Sequence, residues 1–151
     1  MFTTRRTTSS NPHFVQLVDA LNAWLRVKDG DKHSYYNQFN HIEGIPHVVV
    51  VYKDDTPVAC GAMKQYDDNT VEIKRMFTDP EQRGNGLGNK VLVELEQWAH
   101  ELGYQFLILE TGKSFEAAVH LYQKYGFQKI PNYDQYEHIE DSVCFRKSIT
   151  P

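Results

Sequence analysis

After three consecutive strands the chain changes its hydrophobic period, and the place where it changes is a run of glycines. Between Val48 and Thr78 the apolar residues come in short bursts rich in β-branched side chains. From Leu87 onward Leu87, Val91, Leu92, Leu95, Trp98, Ala99 and Leu102 mark one face of a helix, and Gly103 suits its C-terminal cap. Between the two patterns stands Arg83-Gly84-Asn85-Gly86-Leu87-Gly88. Glycine reaches positive φ freely and lets a backbone approach a ligand with no Cβ in the way. The first N–H groups of the helix that follows lack intrahelical acceptors and sit at the positive end of its dipole. Strand, glycine turn and helix in this order make an anion site suited to phosphate; the plainer reading is a flexible turn. Two familiar phosphate motifs do not fit. A dinucleotide fingerprint needs glycine three residues after Gly86, and a P-loop needs it five after Gly84; Asn89 stands at both places.

The flanking segments place this turn in a fold. Phe14, Val15, Leu17, Val18, Leu21 and Leu25 recur at helical spacing, with Asp29-Gly30 as a stop. Residues 31–43 are rich in His, Tyr and Asn and read as a short helix or loop. Residues 48–52 form a β-branched strand, and a turn over 53–57 leads into a second strand over 58–65. Asp67-Asp68-Asn69 precedes a third strand over 70–78, which Asp79-Pro80 ends, so the three read as an antiparallel meander. Beyond the long helix, 106–109 is an unbroken apolar strand of the kind covered on both faces. A second helix over 115–124 would bury Ala118, Leu121, Tyr122 and Tyr125 and end at Gly126. Residues 142–148 close the chain as a strand, with Val143 and Phe145 alternating against Ser142, Cys144 and Arg146. A meander followed by strand, helix, strand, helix, strand is a mixed sheet with helices on its faces.

Composition removes several function classes. The 151 residues predict one domain, 1–151, and at 40% hydrophobic the chain is too apolar for disorder. A net charge of -4 argues against a nonspecific nucleic-acid binder. The longest strongly apolar run, 48–52, is far short of a membrane span, which takes about 20 residues. The Thr/Ser-rich start has no apolar core of an export signal, and two cysteines, Cys60 and Cys144, make no disulfide framework. A cytoplasmic protein is the expectation. The histidines and cysteines lack compact metal-ligand spacing, so no metal is expected.

Arg83-x-x-Gly86-x-Gly88 opening a helix, with Leu121-Tyr122 and Gly126-Phe127 downstream, resembles the GCN5-related N-acetyltransferase (GNAT) superfamily. The resemblance runs from about Val48 to Phe127 and keeps the family's order of elements; residues 1–45 add little beyond a leading strand and helices. It implies an α/β (α+β) fold: a mixed, mostly antiparallel central sheet of six to seven strands, helices on both faces, splayed between strands 4 and 5. That opening would hold acetyl-CoA. Backbone amides of Arg83, Gly84, Asn85, Gly86, Leu87 and Gly88 would cradle its diphosphate, and backbone groups of Arg75, Met76 and Phe77 would bond the pantetheine arm like an added strand. Arg83 and Lys90 would either approach the phosphates or remain solvated. Many members carry asparagine where this chain has Phe115, so that cofactor contact is absent or passes to a neighbour such as Ser114.

Acetyl transfer to an amine needs a group that takes the amine's proton and one that protonates the leaving thiolate. Glu72, in mid-strand eleven residues before Arg83, stands where histone-acetylating members place their base; it reads equally as a solvent-facing carboxylate paired with Lys74. Glu110 is the second candidate base, or else pairs with a lysine or caps a turn. Tyr122 matches the family tyrosine that acts as general acid; the alternative is a core aromatic. Acceptor contacts would come from Tyr35, Tyr36 and His41, with His33 beside them, and from Tyr133 and Tyr136 in an acidic stretch carrying Asp134, Glu137, Glu140 and Asp141. A solvated acidic loop is the plainer reading. No group next to either cysteine in sequence activates it, which favours direct transfer over an acyl-cysteine.

The resemblance therefore implies an acetyl-CoA-dependent N-acetyltransferase acting on a small cationic or amino-acid-like primary amine. The alternatives are a non-catalytic CoA-binding regulatory module and a protein lysine or N-terminal acetyltransferase. A homodimer is a further expectation from the family.

Overall fold

The computed structural model describes residues 1–29 and 44–149. Seven strands form one sheet: β1 (Phe2–Thr7), β2 (His47–Lys53), β3 (Thr56–Asp67), β4 (Thr70–Thr78), β5 (Phe106–Gly112), β6 (Gln128–Ile130) and β7 (Ser142–Ser148), in the order β1-β2-β3-β4-β5-β7-β6. The helices among the described residues are α1 (Pro12–Asp29), α2 (Leu87–Glu101) and α3 (Glu116–Tyr125). The β1–β2, β2–β3, β5–β7 and β6–β7 pairs are antiparallel, and β4–β5 is parallel. The β4–β5 register covers Thr70↔Phe106, Val71↔Leu107 and Glu72↔Ile108, after which β4 runs on to Thr78 and β5 to Gly112. Contacts divide the chain into two compact units, residues Met1–Lys64 with Lys74–Leu95, and Gln65–Ile73 with Glu96–Pro151.

In the first unit, Asn11 starts α1: its Oδ1 accepts from the amides of His13 (2.8 Å) and Phe14 (3.4 Å), and Pro12 fills the first helical position. The helical spacing read from the sequence then puts Phe14, Leu17, Val18 and Leu21 into a core with Val48, Val50, Tyr52, Cys60, Ala62 and Phe77. Val49 and Val51 point from the other face of β2 and are equally buried, because α2 packs there. A Cβ on Gly61 would stand 2.6 Å from both Met76 Sδ and Val91 Cγ1, so glycine is what admits the helix this close to β3.

The second unit is built on β5. It runs antiparallel to β7 from Phe106↔Ser148 to Gly112↔Ser142, and β6 adds an outer edge. Leu107, Leu109, Phe127, Val143 and Phe145 are buried, and the Tyr122 ring meets Phe127 and Phe145 at centroid distances of 5.8 and 6.3 Å. Gly126, at φ 115°, closes α3 in the left-handed conformation, as its position after Tyr125 predicts.

Several expectations are corrected. Leu102 lies beyond the end of α2 and is 46% exposed, outside the helix's buried face. Ala118, Leu121 and Tyr125 are half-buried; Tyr122 alone on α3 is buried. Ser142 and Cys144 are as buried as Val143 and Phe145, so the first half of β7 is covered on both faces rather than alternating. The three-residue β6 carries too little pattern to be read from sequence.

Candidate active site

On the first unit, β4 ends at Thr78 and a short 3₁₀ turn, Pro80–Gln82, follows, capped by Asp79 Oδ1 accepting from the Glu81 amide at 3.0 Å. Gly84 and Gly86 take φ of 88° and 71°, a region costly to residues with a Cβ, and both face open space. The Asn85 side chain donates back to the Gln82 carbonyl at 2.9 Å, fixing the loop against itself. Gly86 is the N-cap of α2, its carbonyl accepting the Lys90 amide at 3.1 Å. The amides of residues 84–89 have no acceptor among the described residues. That is the donor set a diphosphate requires, at the positive end of a fifteen-residue helix. The residues present therefore fit the diphosphate of a CoA thioester. Arg83 lies over the Trp24 ring of α1 at 5.5 Å, a contact that sequence spacing does not announce.

Just upstream, Arg75 holds φ 59° in the middle of β4, an uncommon conformation for a non-glycine residue. Its guanidinium donates to Asn22 Oδ1 of α1 at 3.0 Å, and its carbonyl accepts the Cys60 thiol at 3.4 Å. Met76 and Phe77 follow it, Phe77 buried in the α1 core and Met76 against Gly61.

The ionisable side chains of interest lie in the second unit. Glu72 is 8% exposed, so it is not the solvent-facing strand carboxylate of the plainer reading. The Tyr133 hydroxyl donates to its Oε2 at 2.6 Å. Burial, the charge of Glu72 and this bond push the Tyr133 phenol far above its usual range. Glu110, half-buried near the end of β5, accepts the Ser142 hydroxyl at 2.5 Å. Tyr122 is buried, and burial followed by the Glu110 charge raises its phenol, so it stays protonated at neutral pH. Tyr136, 3% exposed, is raised by burial and then by Glu110 and Glu72. Two carboxylates and three phenols thus share one neighbourhood.

Ser114 donates to Asp141 Oδ2 at 3.4 Å. Phe115 occupies the N-cap of α3 with no side-chain capping bond; its ring lies where a Cβ on Gly112 would come within 3.1 Å. Tyr35, Tyr36, His41 and His33 lie outside the described residues. Both cysteines are buried: burial lifts the Cys60 thiol to about 12 despite Arg75, and lifts Cys144 to about 11. Among the described residues no cluster of three or more His, Cys, Asp or Glu is placed to hold a metal, and no helix is long and apolar enough to cross a membrane.

Three residues at the site were not read from sequence. Ser142 meets Glu110 only because β5 and β7 pair in register. Tyr66 stacks edge-on against Tyr133 at 5.5 Å across the sheet face. Asn132 donates from Nδ2 to the carbonyls of Tyr136, Ile139 and Ser142 at 3.2, 3.4 and 3.0 Å; the Pro131-Asn132 pair is a turn signal that points to it.

Comparison with known proteins agrees with this geometry. The chain is 35% identical to the uncharacterized N-acetyltransferase YsnE of Bacillus subtilis over 100 residues, 65% of this chain and 66% of that one. It is 33% identical to an IAA acetyltransferase of Azospirillum brasilense over 121 residues, 75% of each. Among solved structures, a Klebsiella pneumoniae chain assigned to the acyl-CoA N-acyltransferases superposes at TM-score 0.83 with 27% identity, over 99% of both chains. A GNAT family acetyltransferase of Elizabethkingia anophelis, solved with acetyl-CoA bound, shares the fold at TM-score 0.71 and 20% identity over 97% of both. The family model for the acetyltransferase (GNAT) family matches residues 14–127, and the chain belongs to that family.

Proposed function

We propose that this protein moves the acetyl group of acetyl-CoA directly to a primary amine in a ternary complex, the acceptor being a small cationic or amino-acid-like molecule. The observation that carries the reading is the row of amides over residues 84–89, in a glycine turn at the start of α2, that have no acceptor among the described residues. The bound acetyl-CoA of the Elizabethkingia anophelis neighbour supports the choice of anion.

When bound, acetyl-CoA supplies an activated thioester. The chain must supply a deprotonated amine and a proton for the leaving sulfur. For an acceptor with the basicity of lysine, neutralisation at pH 7 costs about 4.6 kcal/mol. Glu72, buried and oriented by Tyr133, accepts that proton directly or through water. Tyr122, held as the neutral phenol by burial and Glu110, donates to the sulfur. Cys60 and Cys144 stay thiols at working pH, which favours direct transfer over a cysteine-linked acyl group. The exposed Asp134, Glu137 and Glu140 favour a cation on approach.

A thiol-release screen with acetyl-CoA against polyamines, aminoglycosides, amino acids and a lysine peptide tests the reading, with thermal stabilisation by CoA measured alongside. Turnover on small amines supports it. Stabilisation by CoA with no turnover on any amine replaces it with a CoA-binding module, and turnover confined to the peptide replaces it with a protein acetyltransferase.

A further inference from the structure

The segment joining β6 to β7 is fastened at several points, and its fastenings converge on Glu72. Asn132 ties the segment to itself through three carbonyls. Tyr136 is buried beneath it, and its ring meets the Tyr133 ring edge-on at 5.6 Å and 89°. Tyr66, from the end of β3, meets Tyr133 from another side at 5.5 Å and 71°. A tyrosine ring held in this way has little freedom left, and its hydroxyl ends 2.6 Å from Glu72 Oε2. A charge-assisted bond of that length is among the strong ones.

We propose that Tyr133 is a positioning residue for the reaction, orienting the Glu72 carboxylate. This rests on the reading of Glu72 as the base. The bond restrains the carboxylate from turning away. The groups facing Glu72 are Tyr66 from β3, Tyr133 and Tyr136 from the segment, and Cys144 from β7, with Glu110 of β5 beyond Tyr136 and Cys144 and Lys74 on its own strand. Of these, Tyr133 donates directly to the carboxylate, at 2.6 Å. Sequence alone placed Tyr133 as an acceptor contact; its hydroxyl is engaged with Glu72 instead.

The test is a double-mutant cycle in the full chain, using the amine found active in the screen. Tyr133→Phe keeps the ring and its stacking and removes only the hydroxyl. It is expected to lower kcat about tenfold or more and leave KM for acetyl-CoA unchanged. In a Glu72→Gln background it should cost nothing further, since Tyr133 acts through Glu72. An equal loss in both backgrounds, or none in either, overturns the positioning role while leaving Glu72 as base. Full activity of Glu72→Gln overturns the base reading and this one with it. Phenol ionisation followed by ultraviolet absorbance gives a check independent of turnover: Glu72→Gln should release one tyrosine to ionise at lower pH than in the parent. An unchanged titration contradicts the bond.

Discussion

At the scale of single residues, burial does most of the chemistry. Tyr122 and Glu72 sit among apolar and phenolic neighbours, and burial disfavours a charged side chain. It favours the neutral phenol, which suits a proton donor, and it makes a carboxylate depend on its hydrogen-bond partners. Replacing Tyr122 by Phe preserves the ring contacts with Phe127 and Phe145 and deletes only the proton. We expect kcat to fall about a hundredfold to ten-thousandfold with CoA affinity by calorimetry unchanged; a loss of affinity of similar size would make Tyr122 a binding residue instead. The sequence singles out Tyr122 because Leu121-Tyr122, downstream of the glycine turn, resembles the family's pair. That Glu72 is buried was not legible there. A single glutamate between Val71 and Ile73 is compatible with either face of a strand, and the choice is made by Tyr133, sixty-one residues away.

Among the elements, those with strong period were legible and those fixed by tertiary contacts were not. The strand over Thr70–Thr78 and the closing strand over Ser142–Ser148 have the bounds read from the sequence, although the first half of the latter does not alternate, and α2 starts within the glycine run, at Leu87. The short β6 and the 132–141 segment depend on bonds to β7 and on Asn132, whose partners lie four to ten residues on. Asn132→Ala removes the donor to three carbonyls. It should destabilise the fold by about 1–3 kcal/mol in denaturant titrations and speed amide exchange in the segment it fastens. An unchanged midpoint and unchanged exchange would show that the segment is held by its tyrosines alone.

For the whole molecule, pH enters through a histidine away from the site. Burial lowers the pKa of His47 below its ordinary value of about 6.5. The unfolded chain then takes up the proton more readily, so stability is fully present above about pH 6.5 and declines as pH falls through that value toward the folded pKa. Melting temperature followed from pH 8 to pH 5, with the parent compared to His47→Gln, checks this: the variant should lose part of the decline, and identical curves would contradict it. The fold as a whole rests on an order of strands and helices that the sequence announces, while the proposed function rests on one row of main-chain donors. Calorimetric titration with acetyl-CoA and with S-acetylpantetheine, which keeps the thioester arm and lacks the diphosphate, tests that row most directly. One-to-one binding of acetyl-CoA with a large loss of affinity for the truncated compound is the predicted result; equal affinity for the two, or no heat from either, would contradict it.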